Sequence, residues 1–280
     1  MKSKKSMKKA NRKKNILLYA GLIVFLIIVL MPYFWLILTS IKKRVDAFAI
    51  PPKVFFVPTW QNYYDAFIEK GMLHNLFNSV IVMLVVVAIS VVLGLPSAYA
   101  FSRFPVRGDK VLSNYLLGTR FTPVVVLALP LYLMMSKLGL LNTDTGIIIA
   151  HVAFNLPFVV WMMRGFYDAI PKEIDEAARV EGMGWFRIFL SIDTPLAKGG
   201  LAATAVFCAI NSWNEFLMAL ILTGRNTTTM PVAVPGLMTP QGTIWGQVAA
   251  VGTVITIPVL IFAILVQKHM ISGMTMGAVK

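Results

Sequence analysis

The chain has 280 residues, of which 58% are hydrophobic and 14% charged, and its mean hydropathy of +0.74 is too high for a soluble globular domain. The composition therefore predicts an integral membrane protein. The formal net charge of +14 does not indicate nucleic-acid binding, because eight of the 26 Lys and Arg residues are concentrated in residues 2–14.

Six apolar segments are each long enough to cross a membrane as a helix, which needs about 20 mostly apolar residues. They are residues 16–38, 76–100, 111–135, 146–163, 200–222 and 245–266. The first segment follows the Lys-rich stretch and resembles a signal peptide, but it is longer than a usual h-region and no small-residue cleavage site follows it. We therefore expect it to stay attached, in an all-α membrane protein with six transmembrane helices.

The distribution of Lys and Arg predicts which side of the membrane each loop faces. Six spans place both termini on one side, together with residues 101–110 and 164–198, and that side carries 18 Lys and Arg residues against seven on the other. We expect it to be cytoplasmic, with the basic residues 1–15 facing anionic lipid. Residues 39–75 are then an external segment, in which Lys42, Lys43 and Arg44 run against the rule.

The loop of residues 164–198 is unusually acidic for a cytoplasmic loop. Six of the chain's 12 acidic residues lie in it: Asp168, Glu173, Asp175, Glu176, Glu181 and Asp193. Pro171 suits the first position of a helix and Gly182 suits a left-handed residue that ends one, so we predict a short helix between them. On this helix Asp175 and Arg179 are four residues apart and can pair. The acidic residues favour a protein partner, and a solvated interfacial helix is an equally open interpretation.

Several residues of this loop resemble the signature of the permease subunits of binding-protein-dependent ABC importers. They are Glu176-Ala177-Ala178, Gly182, Ile192 and Pro195. Residues 211–216 and the ending at 273–280 look like the carbohydrate and polyol branch, close to the second permease subunit of maltose importers. The resemblance covers the chain from about residue 75 to its end. Thr194 departs from it, because the family usually has Leu there, and so does Gly199, where Pro is common.

The resemblance implies a type I ABC importer permease fold, with a permease core at residues 75–267 and a cytoplasmic tail at 268–280. It implies four partner chains in a bacterial or archaeal cytoplasmic membrane: a second homologous permease, two ATPase subunits and an extracytoplasmic solute-binding protein. It also implies that the loop helix couples to an ATPase subunit through Glu176, Ala177, Ala178, Arg179, Glu181 and Gly182. The chain has no phosphate-binding loop motif, so Mg-ATP is expected on the ATPase subunits and no cofactor on this chain.

Polar side chains inside the predicted spans are candidates for the lining of a translocation pathway, because a charge at mid-bilayer is costly and normally faces protein or water. The candidates are Arg120, Asn155, Trp161, Asn211, Asn214 and Glu215. Alternatively, the asparagines hydrogen-bond between helices and the tryptophan marks an interface. Arg120 and Glu215 differ in predicted depth by roughly 9 Å at about 1.5 Å per residue, so a direct ion pair is not predicted.

Nothing in the sequence indicates an enzyme. The three histidines lie in separate segments without metal-ligand spacing, and the single cysteine excludes a cysteine-cluster metal site. We predict a transport subunit without a metal, which forms half of the pathway for a sugar, oligosaccharide or sugar alcohol. Two alternatives stay open: an ABC permease for amino acids, peptides or ions, and a stand-alone secondary transporter driven by an ion gradient.

Overall fold

The computed structural model describes residues 2–105, 107–239 and 242–276, and the described chain is mostly helical. The side chains of the basic segment 2–14 and the last four residues of the predicted carbohydrate-type ending, 277–280, lie outside the described residues. The helices are α1 (Lys2–Ser40), α2 (Arg44–Ala47), α3 (Gln61–Tyr64), α4 (Met72–Arg103), α5 (Asp109–Phe121), α6 (Val124–Lys137), α7 (Asp144–Asp168), α8 (Lys172–Val180), α9 (Trp185–Ile188), α10 (Thr194–Leu196), α11 (Lys198–Trp213), α12 (Leu217–Leu222), α13 (Met230–Ala233) and α14 (Trp245–Met276).

Shorter elements connect several of these helices. A π-helical turn, Asp65–Glu69, follows α3, and a second one, Phe189–Asp193, joins α9 to α10. A 3₁₀ turn, Val234–Leu237, leads into two short antiparallel strands, β1 (Met238–Thr239) and β2 (Gly242–Thr243). The chain divides into two compact units, and α14 passes from the first to the second after Val254.

The first unit consists of the chain up to Lys70 together with Leu237–Val254. In this unit Asn62 hydrogen-bonds to backbone carbonyl groups at and just after the C-terminus of α1. Its Nδ2 donates to the carbonyl oxygens of Ser40 at 2.8 Å and Lys42 at 2.7 Å. Such carbonyls at a helix C-terminus have no partner within the helix. Gly246 of α14 allows this arrangement, since a Cβ there would lie only 2.5 Å from Asn62 Oδ1.

The second unit consists of Gly71–Gly236 and the chain from Ile255 onward. Its core forms where α4 packs along α7 and α11 packs against both. Val86 and Ala98 of α4 and Val159 of α7 are fully buried there. Gly94 lets the two helices approach closely, because a Cβ at this position would lie 2.6 Å from Val159 Cγ1. This rigid pair of helices carries the surface loop that follows α7.

Four helices of the described chain are long and apolar enough to cross a membrane: Leu18–Ser40, Met72–Arg103, Asp144–Asp168 and Trp245–Leu265. They correspond to the predicted first, second, fourth and sixth spans, with ends that differ by up to five residues. Each of these helices lies in an apolar segment that the sequence analysis predicted from its length and composition. The described chain is thus mostly helical, and two of the six predicted spans take another form.

The predicted third and fifth spans are interrupted. The third corresponds to α5 and α6, whose axes are bent by 96° at Thr122 and Pro123. Proline ends a helix because it lacks a backbone N–H and its ring clashes with the preceding turn. The fifth corresponds to α11 and α12, which are separated by residues 214–216. The number of six spans and the orientation of the termini stay predictions.

Candidate functional site

The predicted loop helix is α8, which has nine residues, Lys172–Val180. Pro171 caps it as the residue just before the first turn, one position earlier than predicted. Gly182 adopts a left-handed φ of +86°. Its N–H donates to the Arg179 carbonyl at 3.0 Å and the Met183 N–H donates to the Ala178 carbonyl at 3.0 Å, which is the Schellman pattern. The prediction that Gly182 ends the helix in this way is confirmed.

The two faces of α8 have different environments. The buried face consists of Asp175, which is 2% exposed, and Ala178, which is 6% exposed. The remaining side chains of the candidate contact set are exposed: Glu176, Ala177, Arg179 and Glu181. Gly182 is exposed as well. Only Ala178 of the six predicted coupling residues therefore faces the interior of the protein, and the other five form a surface.

The predicted pairing of Asp175 with Arg179 is wrong. Asp175 faces inward, where its Oδ2 lies 2.6 Å from Nε of Arg103, the last residue of α4. Arg179 faces outward and donates from Nη1 to the Met183 carbonyl at 3.1 Å. Its guanidinium lies 5.2 Å from the ring of Trp185. Residues four apart lie on adjacent positions of a helix, but here Asp175 binds the buried Arg103 and Arg179 turns outward to Met183, so the two side chains do not pair.

Arg103 is the centre of a buried group of charges, here called the arginine cluster: Arg103, Asp175 and Asp193. The three side chains are 2%, 3% and 0% exposed. Arg103 Nη2 lies 3.5 Å from Asp193 Oδ1, in the π-helical turn that precedes α10. Arg103 also donates to the carbonyl oxygens of Tyr167 at 3.0 Å and Ile170 at 3.2 Å, at the end of α7. One guanidinium thus contacts the α7 end, α8 and the turn before α10.

The charges of the arginine cluster do not balance, because one guanidinium faces two carboxylates. Among the residues that the structure describes, no donor forms a hydrogen bond of good geometry with any of the four carboxylate oxygens. The 2.6 Å contact between Arg103 Nε and Asp175 is therefore a close ion pair in which the N–H is poorly directed. Burial, reinforced by the neighbouring Asp175 and opposed by Arg103, raises the pKa of Asp193 to about 6.

Further polar contacts hold the same ends of the helices together. Arg164 of α7 binds both carboxylate oxygens of Asp109 at 2.7 and 2.8 Å, which is the strong bidentate geometry. Ser102 Oγ donates to Asp168 Oδ1 at 2.6 Å. Thr194, where the resembled family usually has Leu, lies 3.1 Å from the Tyr167 hydroxyl. The loop after α7 is therefore attached to the core through side chains from several helices.

A second candidate site is a polar cavity of about 230 Å³ in the second unit. It is lined by Thr119, Arg120, Thr122, Val124, His151, Phe154, Asn155, Asn211 and Glu215. Four of the six predicted pathway residues are thus brought together, including Arg120 and Glu215, despite their difference in predicted depth. Trp161 and Asn214 are not among the lining residues. Asn214 is exposed and donates to the Ile210 carbonyl at 2.9 Å.

Most polar groups of the cavity are engaged with the protein. Glu215 accepts from the backbone N–H groups of Met218 at 2.9 Å and Ala219 at 3.0 Å, and it lies 3.3 Å from His151 Nε2. Arg120 donates one hydrogen bond, to the Phe154 carbonyl at 3.2 Å. Asn155 is only 3% exposed, and its Oδ1 accepts no hydrogen bond from the described part of the chain. An unpaired buried acceptor at the cavity wall is suited to a ligand with hydroxyl groups.

Comparison with known proteins identifies the family. Residues 90–276 match the binding-protein-dependent transport system inner membrane component family. The chain belongs to this family of ABC transporter permeases. The permease is 37% identical over 257 residues to a probable ABC transporter permease protein, y4oR, of Sinorhizobium fredii, with 92% of each chain covered. It is 34% identical to the trehalose/maltose transport system permease MalG of Thermococcus litoralis, over 95% of this chain and 97% of that one.

A solved structure has the same fold as the permease. It is a bacterial ABC transporter involved in the import of the acidic polysaccharide alginate, and one of its chains superimposes with a TM-score of 0.77 at 25% identity. The alignment covers 92% of the permease and 97% of that chain. The likeness therefore extends over nearly the whole of both proteins.

Two parts of the permease site were missed by sequence reasoning. The arginine cluster joins residues that are 72 and 18 positions apart in the chain, so no local spacing signals it. His151 was considered only as a possible metal ligand, and its contacts with Glu215 and, through Nδ1 at 2.9 Å, with Ser212 Oγ were not predicted. One signal was available, because His151 precedes Asn155 by four residues and so shares its helix face.

Proposed function

We propose that this permease forms half of the translocation pathway of an ATP-driven importer for a sugar, oligosaccharide or sugar alcohol. A second homologous permease forms the other half, and an extracytoplasmic solute-binding protein delivers the solute. Two ATPase subunits use Mg-ATP, and no cofactor is assigned to this chain. In this proposal α8 is the contact through which ATP hydrolysis reaches the pathway, with Glu176, Ala177, Arg179, Glu181 and Gly182 at the contact.

The exposed face of α8 is the observation that carries the coupling proposal. Val180 is 90% exposed, and Phe186 of the adjacent α9 is 74% exposed. Glu176 and Glu181, four residues before and one residue after Val180, are exposed as well. Carboxylates are repelled by anionic lipid headgroups, whereas apolar side chains with flanking charges are typical of a protein interface. The surface therefore fits a protein cleft with apolar walls and basic groups at its edge.

A helix that transmits motion must be stiff and firmly attached. The Schellman motif at Gly182 closes the C-terminus of α8, and the buried contact between Asp175 and Arg103 attaches it to α4. Rigid elements of this kind support domain movements in which packed segments shift as bodies. An ATPase subunit that binds α8 more tightly in one conformation of the permease would shift the population toward that conformation.

The polar cavity supports a role in the pathway. Arg120 and Asn211 supply hydrogen-bond donors, and Asn155 supplies an unpaired acceptor. The break between α5 and α6 at Thr122 lies at the cavity wall. Broken helices within a membrane are tolerated where the freed backbone groups face protein or a water-filled cavity. We therefore assign α5, α6, α7 and α11 to the pathway side of the permease.

The solute class rests on the relatives and on the chemistry of the cavity. The Thermococcus litoralis relative is named for trehalose and maltose, and the structural neighbour is involved in alginate import. A polyhydroxylated solute both donates and accepts hydrogen bonds, and the lining of the polar cavity offers both kinds of group. These observations favour a carbohydrate over an amino acid or an inorganic ion.

The proposed topology has six spans, with α5–α6 and α11–α12 each forming one interrupted span. Both termini and α8 face the cytoplasm, in the cytoplasmic membrane of a bacterium or archaeon. The excess of Lys and Arg on that side supports this orientation. It also places α8 where soluble ATPase subunits can reach it.

The substitution Val180→Asp tests the contact with the ATPase subunits. The complete importer is purified through a tag on this chain, and the copurified ATPase subunits are quantified. Val45→Asp is the matched control, because Val45 is 80% exposed and lies on α2. We expect Val180→Asp to reduce the recovered ATPase at least tenfold and Val45→Asp to leave it unchanged. Full recovery with both variants would rule out α8 as the contact.

A further inference from the structure

The arginine cluster reaches four segments of the second unit through one side chain. Arg103 ends α4, its Nη groups donate to carbonyl oxygens at the end of α7, and its ion pairs reach Asp175 on α8 and Asp193 before α10. The buried face of α8 consists of only two side chains, Asp175 and Ala178. The position of α8 therefore depends strongly on its single buried charge.

We infer that Arg103 is a positioning residue that carries the displacement of α8 to the ends of α4 and α7, and that a proton held between Asp175 and Asp193 tightens this connection. The inference rests on the proposed contact between α8 and an ATPase subunit. It adds a pH-sensitive connection, here called the joint, between α8 and the ends of α4 and α7. Neither carboxylate touches the solute in this account.

The charge count of the cluster explains the role of the proton. With both carboxylates ionised, the cluster carries a net charge of about −1 in a site where the side chains are at most 3% exposed. Asp175 and Asp193 then repel each other, which pushes α8 away from the turn before α10. A proton on Asp193 removes the repulsion and allows its carboxyl group to hydrogen-bond to Asp175. Burial and the carboxylate of Asp175 raise the pKa of Asp193 to about 6, so the change falls between weakly acidic and neutral pH.

The surroundings of Asp193 contain few other titratable groups. Arg103 and Tyr99 face it from α4, Tyr167 from α7 and Asp175 from α8. Asp193, whose pKa burial raises to about 6, therefore changes its ionisation between pH 5.5 and 7.5.

Hydrogen–deuterium exchange of the purified importer, with both permeases and the ATPase subunits present, tests the proton. Exchange of residues 172–183 is measured at pH 5.5 and 7.5 and corrected for the intrinsic pH dependence. We expect wild-type α8 to exchange roughly tenfold faster at pH 7.5, and Asp193→Asn to show equally slow exchange at both values. An identical pH dependence in the two proteins would overturn the role of the proton.

The positioning role of Arg103 is tested in the same complex with ATP and vanadate. In the wild type, we expect trapping of the ATPase to change exchange in α8 and also at residues 96–103. In Arg103→Gln, the change in α8 should persist and the change at residues 96–103 should be lost, with partial rescue by Arg103→Lys. An unaltered response at residues 96–103 in Arg103→Gln would refute the role. If Arg103→Gln does not fold, the comparison of Arg103→Lys with the wild type decides the same question.

The two proposals fail in different ways. If Val180→Asp retains its ATPase subunits, the contact of α8 with the ATPase is wrong, whatever the exchange of Asp193→Asn shows. If Val180→Asp loses the ATPase subunits but Asp193→Asn and Arg103→Gln behave like the wild type, the contact stands and only the joint is wrong.

Discussion

Arg103 Nε lies 2.6 Å from Asp175 Oδ2, and neither side chain is more than 3% exposed. The contact joins a helix on the surface of the second unit to the end of a core helix. Removing two charges from water costs much of what their attraction returns, so a buried ion pair of this kind adds little net stability. Its larger effect is on position, because neither charge can leave the other without an unpaired buried charge remaining.

Removal of Arg103 should be strongly destabilising. Arg103→Gln leaves Asp175 and Asp193 buried without a cation, and the loss of one partner of such a pair costs about 3–5 kcal/mol. Arg179→Gln is the control, because Arg179 is exposed and pairs only with a backbone carbonyl and the face of Trp185. Denaturant unfolding of the detergent-solubilised permease measures the loss in free energy of unfolding that each substitution causes. Equal effects of the two substitutions would contradict the importance of the arginine cluster.

The stability of the permease should depend on the protonation of Asp193. Its pKa is raised from the ordinary 3.8 to about 6 in the folded protein, so the folded state binds the proton more tightly than the unfolded chain. The resulting stabilisation is complete below about pH 4 and is lost as the pH rises through 6. We expect the unfolding temperature of the wild type to fall relative to that of Asp193→Asn between pH 4.5 and 7.5.

A surface carboxylate provides the control for this pH dependence. Asp46 pairs with Lys53 at 2.7 Å at the surface of the first unit. Asp46→Asn should reproduce the wild-type decrease between pH 4.5 and 7.5, because such exposed pairs contribute little. If the unfolding temperature of Asp193→Asn falls with pH as steeply as that of the wild type, Asp193 is not the group whose protonation changes the stability.

Two glycines of the same loop give a matched test of the end of α8. Gly182 has a φ of +86°, whereas Gly184 has an ordinary φ of −76°, and a Cβ at either position would meet no atom within 4 Å. Gly182→Val forces a β-branched residue into the left-handed region at a cost of about 2 kcal/mol, while Gly184→Val avoids this strain. We expect only Gly182→Val to uncouple ATP hydrolysis from uptake in proteoliposomes. Normal coupling in Gly182→Val would show that the geometry of this end is unimportant.

Asn155 should matter for transport more than for folding. Asn155→Leu removes an unpaired buried acceptor, whose burial costs about 1–3 kcal/mol, together with one donated bond to the His151 carbonyl. We therefore expect little loss of stability but a reduction of at least tenfold in the uptake of a radiolabelled disaccharide that the binding protein carries. Asn214→Leu, at an exposed position outside the cavity, should leave uptake near normal. Equal uptake by the two variants would remove the polar cavity from the pathway.

Local patterns in the sequence were sufficient to predict α8 and its end. Pro171 and Gly182 act on the backbone of their own segment, so their effect does not depend on the rest of the fold. The same is true of the break between α5 and α6, since Pro123 was present in the predicted third span. The prediction counted residues 111–135 as one span despite this proline, and the structure bends there by 96°.

The side-chain partners could not be predicted in the same way. Arg103 meets Asp175 only because the packing of α4 along α7 brings the end of α4 to the loop that follows α7. Glu215 was predicted to lie at a different depth from Arg120, but the interruption after Trp213 turns it to the start of α12, where it accepts two backbone hydrogen bonds. The first outcome depends on tertiary packing, which the spacing of residues does not contain. The second is a local contact with residues three and four positions later, which follows from the break in the helix.

Cross-linking from α8 to an ATPase subunit tests the central claim most directly. Ala177→Cys places a thiol on the exposed face of α8, and the native Cys208 is fully buried and does not compete. With a short bismaleimide and an ATPase subunit that carries cysteines around its membrane-facing cleft, we predict a specific cross-linked product that Ala178→Cys, on the buried face, does not give. Absence of this product, with labelling of Ala177→Cys by a membrane-impermeant maleimide from outside intact cells, would contradict the account.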